Sequence, residues 1–392
     1  MAVPRLRAYE GPAVLSYGFR PFFLLGAAYS GLSILVWLPI YMGLLETRSL
    51  FLPVDWHVHE MLFGFLAAVV AGFLLTAIPN WTGRLPVQGT PLAVLVALWI
   101  AGRVAIYYSA SLGWWQAAII DNAFLVALTL AAVREIVAGR NWRNLKVLMP
   151  LAVLLLANTL FHVEVQTAGI SDVSRRLGLG AAIVLIMIIG GRIIPSFTRN
   201  WLVRENPGRL PVPFGQYDVA SLVVSTAAFT LWVFLPEALL TGVLLAIAAV
   251  SQAVRLTRWA GERTVRDALV LMLHIAYAFV PFGLGLLALS ALLPESVPQA
   301  AGFHALGGGA IGAMTLAVMM RATLGHTGRM LKAGLAGGVI FGAVCVAAIV
   351  RVWAAFEPGL AWVHISGTAW MIAFLGFALL YSPALLRARR SS

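Results

Sequence analysis

The chain has 392 residues, of which 61% are hydrophobic and 11% charged, and its formal net charge is +12. Soluble domains carry about a quarter charged residues, so the composition excludes a soluble globule and indicates a protein solvated by a lipid bilayer. The single cysteine, Cys345, excludes disulfide frameworks, cysteine-rich zinc modules and covalent c-type haem attachment, because each needs at least two thiols.

Twelve apolar stretches are long enough to cross a bilayer, whose hydrocarbon core of about 30 Å needs roughly 20 helical residues. In chain order they lie near 20-44, 57-79, 90-109, 115-137, 147-168, 176-195, 216-235, 237-256, 266-292, 299-321, 331-355 and 359-382. We therefore expect an all-α, polytopic membrane protein with about 12 transmembrane helices, forming a single integral membrane domain over 1-392.

The connecting segments alternate in charge, which predicts the orientation of the chain. Most Lys and Arg lie near the termini and in the even-numbered gaps, whereas the odd-numbered gaps hold Arg48, Arg175 and Arg176. Because positive residues stay inside, both termini are expected in the cytoplasm, and the basic charge reflects topology rather than nucleic-acid binding. Arginines within or at the ends of spans need partners, and these are Arg20, Arg103, Arg192, Arg321 and Arg351.

The second and tenth spans resemble each other. His59 precedes Thr82-Gly83-Arg84 by the same separation as His304 precedes Thr327-Gly328-Arg329. The sixth span fits the same frame, with Arg175 at the position of the histidines. This pattern favours a threefold repeat of four helices over 1-137, 147-256 and 266-382, although similar helix-end chemistry could produce it by chance.

Five of the seven histidines are predicted at one depth, a turn or two below the outer membrane surface. These five are His57, His59, His162, His304 and His364. Neutral imidazole is a common ligand of haem iron, copper and zinc, so the layer predicts metal sites. The structural alternative is a hydrogen bond between helices, which is favoured for His274 and His326; His57 could instead cap its helix.

Two carboxylates accompany these histidines. On an ideal helix Glu60 shares a face with His57, while His59 points nearly the opposite way. Glu164 lies two residues from His162 and could act from behind the metal ligands. Glu60 and Glu164 are therefore candidate catalytic residues that deliver protons from the outer side as general acids.

Several longer motifs resemble those of the NnrS family and lie in the expected order along nearly the whole chain. They are Gly18-Phe19-Arg20-Pro21-Phe22-Phe23, Trp56-His57-Val58-His59-Glu60-Met61, Ala77-Ile78-Pro79-Asn80-Trp81-Thr82-Gly83-Arg84, Gly190-Gly191-Arg192-Ile193-Ile194-Pro195-Ser196-Phe197-Thr198, Phe303-His304-Ala305 and Leu324-Gly325-His326-Thr327-Gly328-Arg329. The resemblance implies a haem- and copper-binding protein of the bacterial inner (cytoplasmic) membrane that takes part in the response to nitric oxide, often among denitrification functions. The motif histidines are then His57, His59, His304 and His326, without assignment to one metal or the other.

A looser resemblance connects the chain to the haem-copper oxidases, whose main subunit has twelve spans and binds haem through histidines of the second and tenth. By this resemblance His59 and His304 are expected as axial ligands of haem b. The oxidases place copper ligands on the sixth and seventh spans, where this sequence has no histidine. Copper or a second haem would then use some of His57, His162 and His364, and Arg175 could hold a haem propionate.

The expected function is nitric oxide metabolism or protection from nitrosative stress, in which the chain could reduce nitric oxide near the periplasmic side. Nitric oxide and lipid are the expected partners, together with an unidentified electron donor. Two alternatives stay open at this point: a sensor or haem carrier without turnover, and a transporter of a small solute or metal. Whether the chain is an enzyme is left undecided by the sequence.

Overall fold

A computed structural model of the chain describes residues 9–389, in which helices and turns form and no strand does. Twelve helices in this part are long and apolar enough to cross a membrane, which confirms the all-α prediction. They are α1 (Phe19–Tyr41), α2 (Pro53–Thr82), α3 (Thr90–Tyr107), α4 (Trp114–Ala138), α5 (Trp142–Ala168), α6 (Val173–Glu205), α7 (Gln216–Phe234), α8 (Leu239–Arg263), α9 (Ala268–Leu292), α10 (Gln299–His326), α11 (Gly334–Phe356) and α12 (Leu360–Leu386). The cytoplasmic location of both termini stays a prediction.

The chain forms two compact units. Unit 1 comprises Met1–Gly178, Ala322–Met330 and Phe374–Ser392, so it holds α1 to α5. Unit 2 comprises Leu179–Arg321 and Leu331–Ala373. The expected single domain and its threefold repeat stay predictions.

Helices α2 and α10 share a local distortion that the sequence did not predict. In α2 the residues Glu60–Leu66 form a π-helical segment directly after His59, and in α10 Ala305–Ala313 do so directly after His304. Such segments are rare and often mark functional sites. The sequence similarity of the two spans is therefore accompanied by the same change of helix geometry at the same histidine position.

In unit 1, the buried Arg20 near the start of α1 binds the carbonyl end of α12. Its Nη1 donates to the backbone oxygens of Ala384, Leu385 and Arg387 at 3.3, 3.0 and 2.6 Å. The last carbonyls of a helix lack partners within it and attract positive charge. Arg20, one of the arginines predicted to need a partner, is thus paired with backbone oxygens.

Unit 2 has its own buried ion pair. Arg255 Nε donates to Asp218 Oδ1 at 2.9 Å, and Arg255 Nη1 donates to the hydroxyl of Tyr277 at 3.0 Å. Nearby, His274 Nε2 and Thr198 Oγ1 lie 2.8 Å apart, which connects α9 to α6. These contacts hold helices together, as the sequence favoured for His274.

Candidate metal centre

Three groups that could bind a metal converge inside unit 1. His59 of α2, Asp121 of α4 and His162 of α5 each offer one ligand atom, and these atoms lie within 4.8 Å of one another. Asp121 Oδ2 lies 3.3 Å from His59 Nε2 and 3.1 Å from His162 Nε2. All three side chains are buried. Two imidazoles and one carboxylate are a ligand set that transition metals accept.

Both ring nitrogens of His59 lie beside carboxylates. When the neutral ring donates from Nδ1 to Glu60 Oε1, 2.9 Å away, its lone pair is on Nε2. That Nε2 is buried and makes no hydrogen bond, although the carboxylate of Asp121 lies beside it. A lone pair facing an anion in an apolar interior is unfavourable, and a cation between the two would remove the conflict.

The position of Glu60 differs from the one expected for an ideal helix, which placed it on the face of His57. Adjacent residues of a helix are about 100° apart, and the glutamate side chain is long enough to reach back to His59. The carboxylate of Glu60 is fully buried and serves the same centre as His59.

Arg103 of α3 connects the two carboxylates of the centre. Its Nη1 donates to both oxygens of Glu60 at 2.7 Å, and its Nη2 donates to Asp121 Oδ1. One guanidinium against two carboxylates leaves one negative charge without compensation while the imidazoles are neutral. Buried charges are stable only when they are paired, so the centre is electrostatically prepared for a cation.

Further hydrogen bonds orient the carboxylates. The hydroxyl of Tyr29 on α1 donates to Glu60 Oε2, and Asn158 Nδ2 on α5 donates to Asp121 Oδ2 at 2.7 Å. Partners of this kind fix the ligands of metal sites and tune their affinity. Helices α1 to α5 therefore all contribute to one centre.

Aromatic rings enclose His59. The ring centroids of Phe51, Phe63 and Phe161 lie 5.0, 5.2 and 5.2 Å from its imidazole. This enclosure, with carboxylates at both ring nitrogens, fits a metal ion. A flat macrocycle on His59 would require the rings and Asp121 to move, so the haem ligation expected for His59 stays a prediction that this geometry does not favour.

Two glycines make the close packing of the ion pairs feasible. A Cβ at Gly64 would lie 2.8 Å from Arg103 Nη1 and 2.8 Å from Glu60 Oε2, and one at Gly102 would lie 3.1 Å from Asp121 Oδ1. The helices approach here without side chains in between, which brings Arg103 and both carboxylates into contact.

We expect Gly64→Ala to lower both thermal stability and metal affinity. Alanine gains up to about 1 kcal/mol of helix propensity, but overpacking at this contact costs about 1–3 kcal/mol. Thermal unfolding and metal titration in detergent would measure both effects. Gly285→Ala is the matched control, because a Cβ there meets no atom within 4 Å; equal behaviour of the two variants would refute the steric role of Gly64.

Other predicted residues lie outside the three-residue cluster. His57 stacks on Trp37 with ring centroids 4.4 Å apart. Glu164 accepts hydrogen bonds from the backbone nitrogens of Val173 and Ser174 at 2.8 and 2.9 Å and thereby caps the start of α6. The proton-donor role of Glu164 and the metal-ligand role of His57 stay predictions.

Ion pairs also stabilise the loop that precedes α6. Asp172 accepts from Arg175 Nη2 at 2.9 Å and from Arg176 Nη1 at 2.7 Å. Burial alone would raise the pKa of the Asp172 carboxyl, but the two arginines lower it below its usual value. Arg175 thus has a carboxylate partner, and its binding of a haem propionate stays a prediction.

The remaining histidines of the predicted layer lie in unit 2. His304 Nδ1 donates to the carbonyl of Ala300 at 2.6 Å, which assigns the lone pair of the neutral ring to Nε2. His364 is exposed on α12. Since His59 belongs to unit 1, the expected pairing of His59 with His304 stays a prediction, as does a ligand role for His364. The motif residue His326, in unit 1, lies with its ring 6.0 Å from Tyr17 and 5.4 Å from Phe19.

Comparison with known proteins gives one informative match. The family model described as NnrS protein matches residues 13–389, which is nearly the whole chain. A comparison with curated proteins finds no match. The matched range includes all twelve helices and every residue of the candidate centre.

Proposed function

This chain belongs to the NnrS family, and from that premise we propose that it is a haem- and copper-binding protein of the bacterial inner membrane that acts in the response to nitric oxide. The observation that carries the proposal is the buried His59–Asp121–His162 cluster. Its ligand atoms, its surplus negative charge and the lone pair of His59 Nε2 all suit a cation.

We assign the copper to this cluster. Imidazole nitrogen suits copper, and a carboxylate can complete the set. The single cysteine, Cys345, is not part of the cluster, so ligation by thiolate is not required. A bound copper ion supplies redox chemistry and a position at which nitric oxide can bind.

The side chains around the cluster have separate tasks in this proposal. Arg103 and Asn158 hold Asp121 in place between the imidazoles, while Arg103 also fixes the carboxylate of Glu60 beside His59. Glu60 touches both His59 Nδ1 and the hydroxyl of Tyr29, so it can hold a proton next to the centre. If nitric oxide is reduced rather than only bound, Glu60 is better placed than the helix-capping Glu164 to act as the acid.

We assign the haem b to His304. Its Nδ1 donates to the carbonyl of Ala300, so the lone pair of the neutral ring lies on Nε2, and a histidine that binds haem iron usually donates its other ring N–H in this way. A glycine-rich segment follows, and a Cβ at Gly307 would meet no atom within 4 Å. The open side of α10 at Gly307, three residues after His304, supports a bulky cofactor on this part of the helix. In this proposal His59 binds copper, and its ligation of haem stays a prediction from the sequence.

The test is a metal and haem assay of the purified full-length protein, with absorption spectra of the reduced form recorded before and after nitric oxide is added. We expect stoichiometric copper, a haem band and a spectral change with nitric oxide. Absence of copper would refute the assignment of the cluster. Haem whose spectrum does not respond to nitric oxide would refute direct binding at iron and leave copper as the only candidate position.

A further inference from the structure

A small cavity opens beside the candidate centre in unit 1. Its volume is about 10 Å³ and it is only partly enclosed. This is about the space that one water molecule needs. The residues around it are Leu50, Phe51, Ser109, Trp114, Ala117, His162, Val165 and Gln166. His162 thus links the cavity to the cluster, and the exposed Gln166 lies at its mouth.

Phe51 lies between this cavity and His59. Its ring lines the cavity and lies 5.0 Å from the imidazole of His59 and 5.4 Å from that of His162, measured between centroids. The ring is 4% exposed. A molecule in the cavity can contact His162 directly, whereas the ring of Phe51 lies between the cavity and His59.

The segment that carries Phe51 is fixed to its surroundings. Ser109 Oγ accepts from the backbone nitrogen of Leu50 at 2.8 Å and lies 3.2 Å from Ser49 Oγ. Ser49 Oγ also accepts from the backbone nitrogen of Phe51 at 3.2 Å. The ring is consequently held over the two histidines rather than left on a loose loop.

The chemistry of the cavity selects against charged molecules. Apart from the titratable His162, its lining residues carry no ionisable side chain, and five of them are apolar. An anion would lose its hydration and would also approach the surplus negative charge of Glu60 and Asp121. The small volume excludes larger molecules unless Phe51 moves.

We infer that this cavity is the entry and binding position of a small uncharged ligand of two or three atoms for the metal held by His59, Asp121 and His162, and that Phe51 sets the maximum size of that ligand. The inference rests on the proposed function, because it requires a metal in the cluster. It adds a ligand position and a residue that determines specificity for size.

The test uses the full-length protein loaded with Cu(I) under anaerobic conditions, after its copper content has been measured. The probes are carbon monoxide, which is small, and tert-butyl isocyanide, which is bulky; both are uncharged, and infrared spectroscopy follows their binding. In the unaltered chain we expect carbon monoxide to bind and the isocyanide to bind slowly or not at all. Phe51→Ala should raise the isocyanide binding rate by about tenfold or more, a lowering of the barrier by at least about 1.4 kcal/mol.

Phe161→Ala is the matched control. Its ring is also buried and lies 5.2 Å from His59, but it does not line the cavity. We expect this variant to keep the isocyanide excluded. Equal acceleration in both variants, or none in either while copper is retained, would overturn the role of Phe51.

A second variant decides the question if Phe51→Ala does not fold. Gln166→Trp alters only an exposed residue at the mouth of the cavity and should slow carbon monoxide binding without loss of copper. An unchanged rate would overturn the entry route. Absence of copper in the unaltered chain would overturn the proposed function and this inference together, whereas copper with unselective binding would overturn the inference alone.

Discussion

Replacement of Asp121 with asparagine is expected to lower the affinity for copper by more than about 100-fold, because even the loss of an outer partner of a metal ligand costs about 10–100-fold. The amide keeps the shape of the side chain and can still bond to Asn158. It removes the one anion that lies between His59 Nε2 and His162 Nε2. Titration with copper against a chelator of known affinity would measure the change.

Two control variants test whether copper binding depends on this centre or on any histidine of the chain. His274→Ala removes a buried histidine that bonds to Thr198 in unit 2 and should leave copper binding unchanged. His57→Ala should do so as well, because its ring stacks on Trp37 outside the cluster. Loss of copper in His57→Ala together with normal binding in Asp121→Asn would contradict the assignment and favour the ligand set that included His57.

The spans could be predicted from the sequence because membrane insertion depends on the length and hydrophobicity of each stretch, which are local properties. The second span, expected near 57-79, is Pro53–Thr82. Its ends differ because polar residues continue the helix beyond the apolar core. The π-helical segment after His59 has no such local signature, and it was not predicted.

The candidate centre was predictable only in part. The depth of the histidines indicated a metal layer, and two of the five, His59 and His162, do meet. Asp121 was missed, although an acidic residue inside an apolar span is itself a strong signal of a functional site. Asp121 and Arg103 of the preceding span together indicate a buried ion pair.

What the sequence could not supply is the pairing of side chains between helices. His162 meets Asp121 across 41 positions of the chain, and no periodicity within one helix specifies such a contact. The contacts of Glu164 were unpredictable for the same reason, since its capping of α6 depends on where the loop after α5 turns. These relations follow from packing, which a single sequence does not reveal.

Arg103→Leu is expected to cause the largest loss of stability among single substitutions at the centre. The change leaves Glu60 and Asp121 buried without their cation, and removal of one partner from a buried ion pair costs about 3–5 kcal/mol. Unfolding in mixed detergent micelles, followed by circular dichroism, would measure it. Arg209→Leu is the control: Arg209 pairs with Glu262, both side chains are more than half exposed, at 53% and 60%, and exposed pairs contribute about 0–1 kcal/mol.

A second substitution and the addition of copper show whether Arg103→Leu loses stability through the missing charge or through the missing packing. A second substitution, Glu60→Gln, removes one of the stranded anions and should restore part of the stability, which a double-mutant cycle expresses as a coupling energy of about 0.5–3 kcal/mol. Copper should also stabilise the Arg103→Leu variant more than the unaltered chain, since the metal cation then offsets the charge that the guanidinium no longer balances. If neither addition restores stability, the loss comes from the missing side-chain volume, and the surplus negative charge cannot be the reason that the centre takes up a cation.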